Sequence, residues 1–191
     1  MDRFEKTKLD TMKEGFNGLI GKAEIEKLVG LGFFDAPASI SHHGNNPGDL
    51  FLHSFHVADI LKTLTEQNNL VWQRPESPAI IGFFHDLCKC DNYICVVDEE
   101  PIEMFGGNTK GGKVHWEHNP EPQFAGHGDK SVMIASTLIQ LTEEEMNCIR
   151  YHMGAFTDKA EWSHYTRAIH RFPNVLWAHQ ADMMAAHILG V

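Results

Sequence analysis

SPAIIGFFHDLCK, residues 77–89, carries the reading of the fold. Ser77 followed by Pro78 is an N-cap residue with proline at the first helical position. The residues after Pro78 are apolar on almost every side, and a helix of that kind belongs in the middle of a domain. An adjacent pair, His85-Asp86, interrupts the run beside Ile80, Ile81, Phe83, Phe84 and Leu87. A buried imidazole and carboxylate need partners. A metal ion is an economical one. The dipeptide alone leaves open a hydrogen-bonded pair at a helix end.

Helices extend on both sides of this segment. Upstream, Leu50, Leu52, Phe55, Val57, Ile60, Leu61 and Leu64 predict a strong helix from Asp49 to about Gln67. KAEIEKLVGL, residues 22–31, predicts a shorter one ended by Gly30 and Gly32. ISHHGNNPG, 40–48, reads as a polar turn-rich loop. Downstream, GDKSVMIASTLIQL predicts a helix from Gly128, and Thr142 with Glu145 forms a capping box for EEEMNCIRYHM. Residues 158–171 read as a weaker helix, and Pro173 opens a last one through about Ile188. The interval 91–126 differs: NYICVV is β-like, and GGNTKGG with Pro101 and Pro122 reads as a hairpin or an irregular loop. Such an excursion can serve as a lid, a dimer arm, a partner contact or a plain surface loop. The expectation is an all-α single compact domain over 1–191, its core at about 40–188, with an inserted excursion at about 91–126.

Composition narrows the function classes. The chain has 191 residues, enough to bury a sizeable core. Its 16 basic and 26 acidic side chains leave a net charge of −10, which argues against a protein that coats long nucleic acid. A small phosphorylated substrate stays compatible, because a bound metal supplies local positive charge. No apolar run approaches a membrane span, and MDRFEKTKLD lacks the apolar stretch of a secretory signal. Cys88, Cys90, Cys95 and Cys148 form no CxxC pair, and Cys88 and Cys95 sit among apolar residues as expected buried thiols. The expected compartment is the reducing cytoplasm.

The chain also carries 13 histidines. His53 and His56, three apart on the first strong helix, share a face. His85-Asp86 sits on the central helix, His127 at a helix start, His152 near a helix end and Asp182 within the last helix. A lone buried histidine is more simply a hydrogen-bonded core residue, and Asp182 alone reads equally as an ordinary carboxylate in the first turn of a helix. Together, an ordered mixture of imidazoles and carboxylates on successive helices suits one or two divalent transition metals: Mn, Fe, Co, Ni or Zn.

The segments LFLHSFHVADIL, IIGFFHDLCK and HQADMMAA resemble those of the HD-domain superfamily of metal-dependent phosphohydrolases, over about residues 40–188. The resemblance implies His53, His85, Asp86 and Asp182 as metal ligands. GHGDKSV and IRYHMG are similar to the additional histidine segments of dinuclear members, which implies His127 and His152 as ligands of a second metal and Asp86 as the bridging carboxylate. Lys89, in HDxxK, then stands near substrate phosphate or the bridging solvent. The lead-in SHHGNNPGDL is also similar to that of some members. The GYP signature of the cyclic-dinucleotide phosphodiesterases is absent.

The implied activity is hydrolysis of a nucleotide or another small phosphate ester or anhydride by a metal-activated water, with Asp86 and Lys89 as catalytic residues. Lys89 and Lys130 are the expected cations for phosphate, though a first-turn lysine such as Lys130 is often simply solvated. His56, His42 and His43 are candidates for substrate binding or proton transfer, with surface or capping roles equally open. A phosphodiesterase acting on a cyclic or short oligonucleotide, a di-iron oxygenase and a non-catalytic nucleotide-binding module are the alternatives. Homo-oligomerisation is left open.

Overall fold

The computed structural model describes residues 18–40, 44–104 and 107–191, apart from the side chains of 98–114. It is mostly α-helical, with one two-stranded sheet. Helix α1 spans Lys22–Gly30, α2 Asp49–Asn68, α3 Ser77–Phe84 and α4 Lys89–Asn92. Strands β1, Tyr93–Met104, and β2, Gly107–His118, come next. Helices α5, Gly128–Ser136, α6, Glu143–Arg150, α7, Trp162–Arg171, and α8, Asn174–Met184, complete the body, and a π-helical turn, Ala185–Leu189, closes it. Among the described residues, no helix is long and apolar enough to cross a membrane.

Helix α2 buries Leu50, Phe51, His53, Ser54, Val57, Ala58 and Leu61, a stripe at helical spacing. It stops at Asn69, whose left-handed backbone (φ 53°) turns the chain so that the Leu70 N–H reaches the Thr65 carbonyl at 3.0 Å. Helix α3 lies against this stripe with every residue but Ala79 buried. Gly82 makes the close approach possible, because a Cβ there would overlap the backbone N and Cα of Ala58. Phe51 stacks on Phe83 at 6.2 Å and meets Phe33 edge-on at 5.9 Å, joining the segment after α1 to the same core.

The run expected as one helix through Lys89 breaks after Phe84. From there the bonds tighten to i→i+3: Lys89 N–H donates to the Asp86 carbonyl at 3.0 Å, and Cys90 N–H to that of Leu87 at 3.1 Å. Such tightening shortens the helix hydrogen-bond ladder and often marks a functional position. The cap is also different from the expectation. Ser77 is the first helical residue, and its hydroxyl donates to buried Glu145 Oε1 at 2.8 Å. Glu145 further accepts from Arg74 Nε and Nη2, both at 2.7 Å, and from the Thr142 N–H at 2.8 Å. The capping box of α6 thus anchors the start of α3, and a carboxylate with four donors is tolerated in the core.

The excursion is a hairpin: β1 and β2 pair antiparallel from Tyr93 opposite His118 to Met104 opposite Gly107. Cys95 is exposed on it, contrary to the expected burial, since an apolar sequence neighbourhood buries a side chain only where another element covers that face of the strand. Cys88 is buried as expected; Cys148, for which the sequence carries no such expectation, is buried too.

Gly82→Ala is expected to force α2 and α3 apart and to destabilise the fold by about 1–3 kcal/mol, the usual cost of overpacking. Chemical denaturation checks this. Unchanged stability would contradict the close-approach argument.

Candidate metal centre

The helices deliver their histidines and aspartates to one place. His53 comes from α2, His85 and Asp86 from the tightened turn after α3, and His127 from the residue before α5. His152 lies just beyond α6, and Asp182 on α8. All but His127 and Asp182 are buried. Their ligand atoms form overlapping groups able to hold a metal ion.

Two sets share Asp86. In the first, His53 Nε2 lies 3.2 Å from His85 Nε2, 3.1 Å from Asp182 Oδ1 and 3.7 Å from Asp86 Oδ2. His85 Nε2 lies 3.4 Å from Asp86 Oδ2. In the second, His127 Nε2 lies 3.0 Å from both His152 Nε2 and Asp86 Oδ1, and His152 Nε2 is 3.4 Å from that oxygen. One carboxylate oxygen of Asp86 faces each set.

The hydrogen bonds on the outer side of the rings decide what the inner nitrogens can do. His53 Nδ1 donates to the Val191 carbonyl at 2.9 Å, His85 Nδ1 to that of Gly82 at 2.8 Å and His152 Nδ1 to that of Ile149 at 2.7 Å. A carbonyl only accepts, so each of these rings carries hydrogen on Nδ1. In its neutral form each therefore turns an Nε2 lone pair inward. Lone pairs converging at about 3 Å repel unless a proton or a cation stands among them. Asp86 Oδ1 is fully buried and receives no well-aligned hydrogen bond. A buried carboxylate oxygen of that kind costs several kcal/mol without a compensating charge. Imidazole nitrogens mixed with carboxylate oxygens suit a divalent transition metal, so the residues fit such an ion by both geometry and chemistry.

The electrostatics agree. Burial would raise the Asp86 carboxyl, but the Lys89 ammonium, 2.6 Å from Oδ2, and the surrounding histidines hold it well below the usual carboxylate range. Burial also opposes the Asp182 carboxylate, yet His53, His85 and His152 bring it down to about 2. Burial lowers His85. His127, despite burial, is pushed up to about 9 by Asp86 and Cys88. Lys89 is raised by Asp86 against the effect of burial.

A cavity of about 500 Å³ opens onto this centre. His53, Asp86, Lys89, His127 and Asp182 line it on the polar side, and Met153, Phe156, Met183 and Ala186 form an apolar wall. Sequence reasoning missed Tyr93, His179 and His187, which also line it. His179 had a signal, since it precedes Asp182 by three residues on one helix face. Its Nδ1 donates to the His152 carbonyl at 2.6 Å, and Gly154 leaves room for its ring.

Other candidates lie elsewhere. Lys130 is fully buried, pairs with Asp91 Oδ2 at 2.6 Å and donates to Asn92 Oδ1 at 2.7 Å. Its charge ties α5 to α4 and does not line the cavity, because its place in the first turn of α5 aims inward. His56 is half-buried, edge-on to Phe55 at 5.8 Å, and does not line the cavity. His42 and His43 lie outside the described residues.

No family model matches the chain, and neither the curated proteins nor the solved structures contain a match.

Asp86→Asn is expected to abolish tight binding of divalent ions, whereas His127→Ala should remove one ion per chain and leave the other. Metal analysis after dialysis reads both, and unchanged stoichiometry in Asp86→Asn would refute the shared-carboxylate arrangement. Because His127 binds a proton up to about 9, an ion ligated by it must displace that proton. Affinity for that ion should therefore fall about tenfold for each pH unit below this value, as calorimetry in buffers of different ionisation enthalpy can reveal.

Proposed function

We propose that the protein is a metal-dependent phosphohydrolase of the HD-domain type, acting on a nucleotide or another small phosphate ester or anhydride. The observation that carries the reading is the position of Asp86, one oxygen toward His53 and His85 and the other toward His127 and His152. The likeness of LFLHSFHVADIL, IIGFFHDLCK and HQADMMAA to the segments of that superfamily supports it. When bound, divalent ions in such a centre supply Lewis-acid polarisation of a phosphoryl oxygen and water acidic enough to act as a nucleophile at neutral pH.

The remaining work falls to the chain. The two aspartates and four histidines define where ions sit, and the carbonyls behind His53, His85 and His152 fix their ring orientation. Lys89 presents a cation at the cavity beside Asp86, placed to hydrogen-bond a phosphoryl oxygen as charge builds on it. His179 offers Nε2 at the cavity, its Nδ1 being committed to the His152 carbonyl. Met153, Phe156 and Met183 contact the part of the substrate that is not phosphate and exclude water from it.

The test is a panel of nucleoside mono-, di- and triphosphates, cyclic dinucleotides and simple phosphate esters, each with Mn, Co, Ni, Mg or Fe(II), read by chromatography. Metal-dependent release of a phosphate product is expected, falling by about a thousandfold or more in Asp86→Ala. Lys89→Gln should slow turnover about a hundredfold with metal content unchanged. No turnover with any metal, or full activity in Asp86→Ala, would overturn the reading.

A further inference from the structure

The outer supports of the four imidazoles are not alike. His53, His85 and His152 rest on backbone carbonyls, whereas His127 Nδ1 faces Cys88 Sγ at 3.2 Å. We propose that Cys88 is the positioning residue for His127, and that the group of Asp86 Oδ1, His127 and His152, resting on this weaker support, is the weaker of the two metal groups and the second to fill. The inference rests on the metal reading of the centre and goes beyond it in ranking the two groups and naming what sets the rank.

A carbonyl can only accept, so it holds a ring in the form that ligates. A thiol can donate or accept. With its S–H turned toward Nδ1, Cys88 leaves the hydrogen of a neutral His127 ring on Nε2. That hydrogen then lies among Asp86 Oδ1 and His152 Nε2, each 3.0 Å away. Such a ring is a hydrogen-bond donor to the group and cannot ligate. With its S–H turned away, the sulfur accepts from Nδ1–H and Nε2 is free for an ion. Sulfur is a weak acceptor, so the ligating form is held less firmly than in the other three rings.

Two further observations point the same way. The His127 side chain is 34% exposed, whereas those of His53, His85 and His152 are almost wholly enclosed. Its group offers two imidazoles and one carboxylate oxygen, whereas His53 and His85 have Asp182 Oδ1 beside them as well, at 3.1 and 3.7 Å. Cys88 itself is well fixed: it is fully buried, and its N–H donates to Ser131 Oγ at 3.1 Å. Its sulfur lies on the outer side of the His127 ring, so it supports the ligand and is not one.

The test is titration of the full chain with Co(II) or Mn(II), by calorimetry and equilibrium dialysis. Wild type should bind in two phases, the second about tenfold or more weaker than the first. Cys88→Ala should weaken the second phase a further tenfold to a hundredfold, roughly the usual effect of losing an outer-shell partner, and leave the first unchanged. The first phase thereby reports that the variant is folded. Cys88→Ser, whose hydroxyl both donates and accepts, should recover part of the loss. Equal affinities in wild type, or a Cys88→Ala variant that weakens neither phase or both alike, would overturn the assignment. A thiolate-to-Co(II) charge-transfer band would also overturn it, by making Cys88 a ligand. Failure of wild type to bind any ion is a distinct result, and it would remove the metal reading together with this inference.

Discussion

One carboxylate, almost wholly withdrawn from solvent, governs the arrangement around it. Asp86 is 2% exposed and stands just after a helix whose side chains are nearly all apolar. An isolated charge there is untenable, and the protein answers with Lys89 at 2.6 Å and four imidazoles arranged on both sides. Lys89 engages Oδ2 and leaves Oδ1 facing His127 at 3.0 Å and His152 at 3.4 Å. A centre built this way is poised for cations, and the burial that makes the charge costly also makes a bound ion hard to displace by solvent.

The fold serves to hold that arrangement. Close contact of α2 and α3 at Gly82 and Ala58 brings His53 next to His85, and the Gly82 carbonyl also orients the His85 ring. A single residue thus serves helix packing and the orientation of the His85 ring together. The buried Glu145, shared by Arg74, Ser77 and the Thr142 cap, anchors the starts of α3 and α6 to each other. It lies at the opposite end of α3 from the centre, so the helix that presents His85 and Asp86 is fixed at both ends. His152 arrives just beyond α6 and Asp182 on α8, and Ile149, Ala178 and Ala181 of these two helices are buried in the core.

Much of this was legible in the chain because burial and chemistry conflict openly in the sequence. His85-Asp86 within an apolar run demands an explanation, and His53, His127, His152 and Asp182 recur on successive helices. The capping box at Thr142 was legible because it is local. The features that escaped depend on neighbours distant in sequence. Lys130 reads as a free first-turn cation, but Asp91 and Asn92 take its charge. Ser77 reads as a cap, yet its hydroxyl goes to Glu145, 68 residues away. Cys95 reads as buried because of its apolar neighbours, and no sequence pattern states which face of a hairpin another element covers. His179 joins the cavity through the carbonyl of His152, a contact made across two helices.

The most direct measurement is anomalous diffraction from crystals of the full chain soaked with Mn(II). Two anomalous peaks are expected, flanking the Asp86 carboxylate. One should lie among Oδ2, His53, His85 and Asp182, and the other among Oδ1, His127 and His152. Absence of any peak at Asp86, with its carboxylate held by Lys89 and the histidines alone, would contradict a metal centre built on that residue.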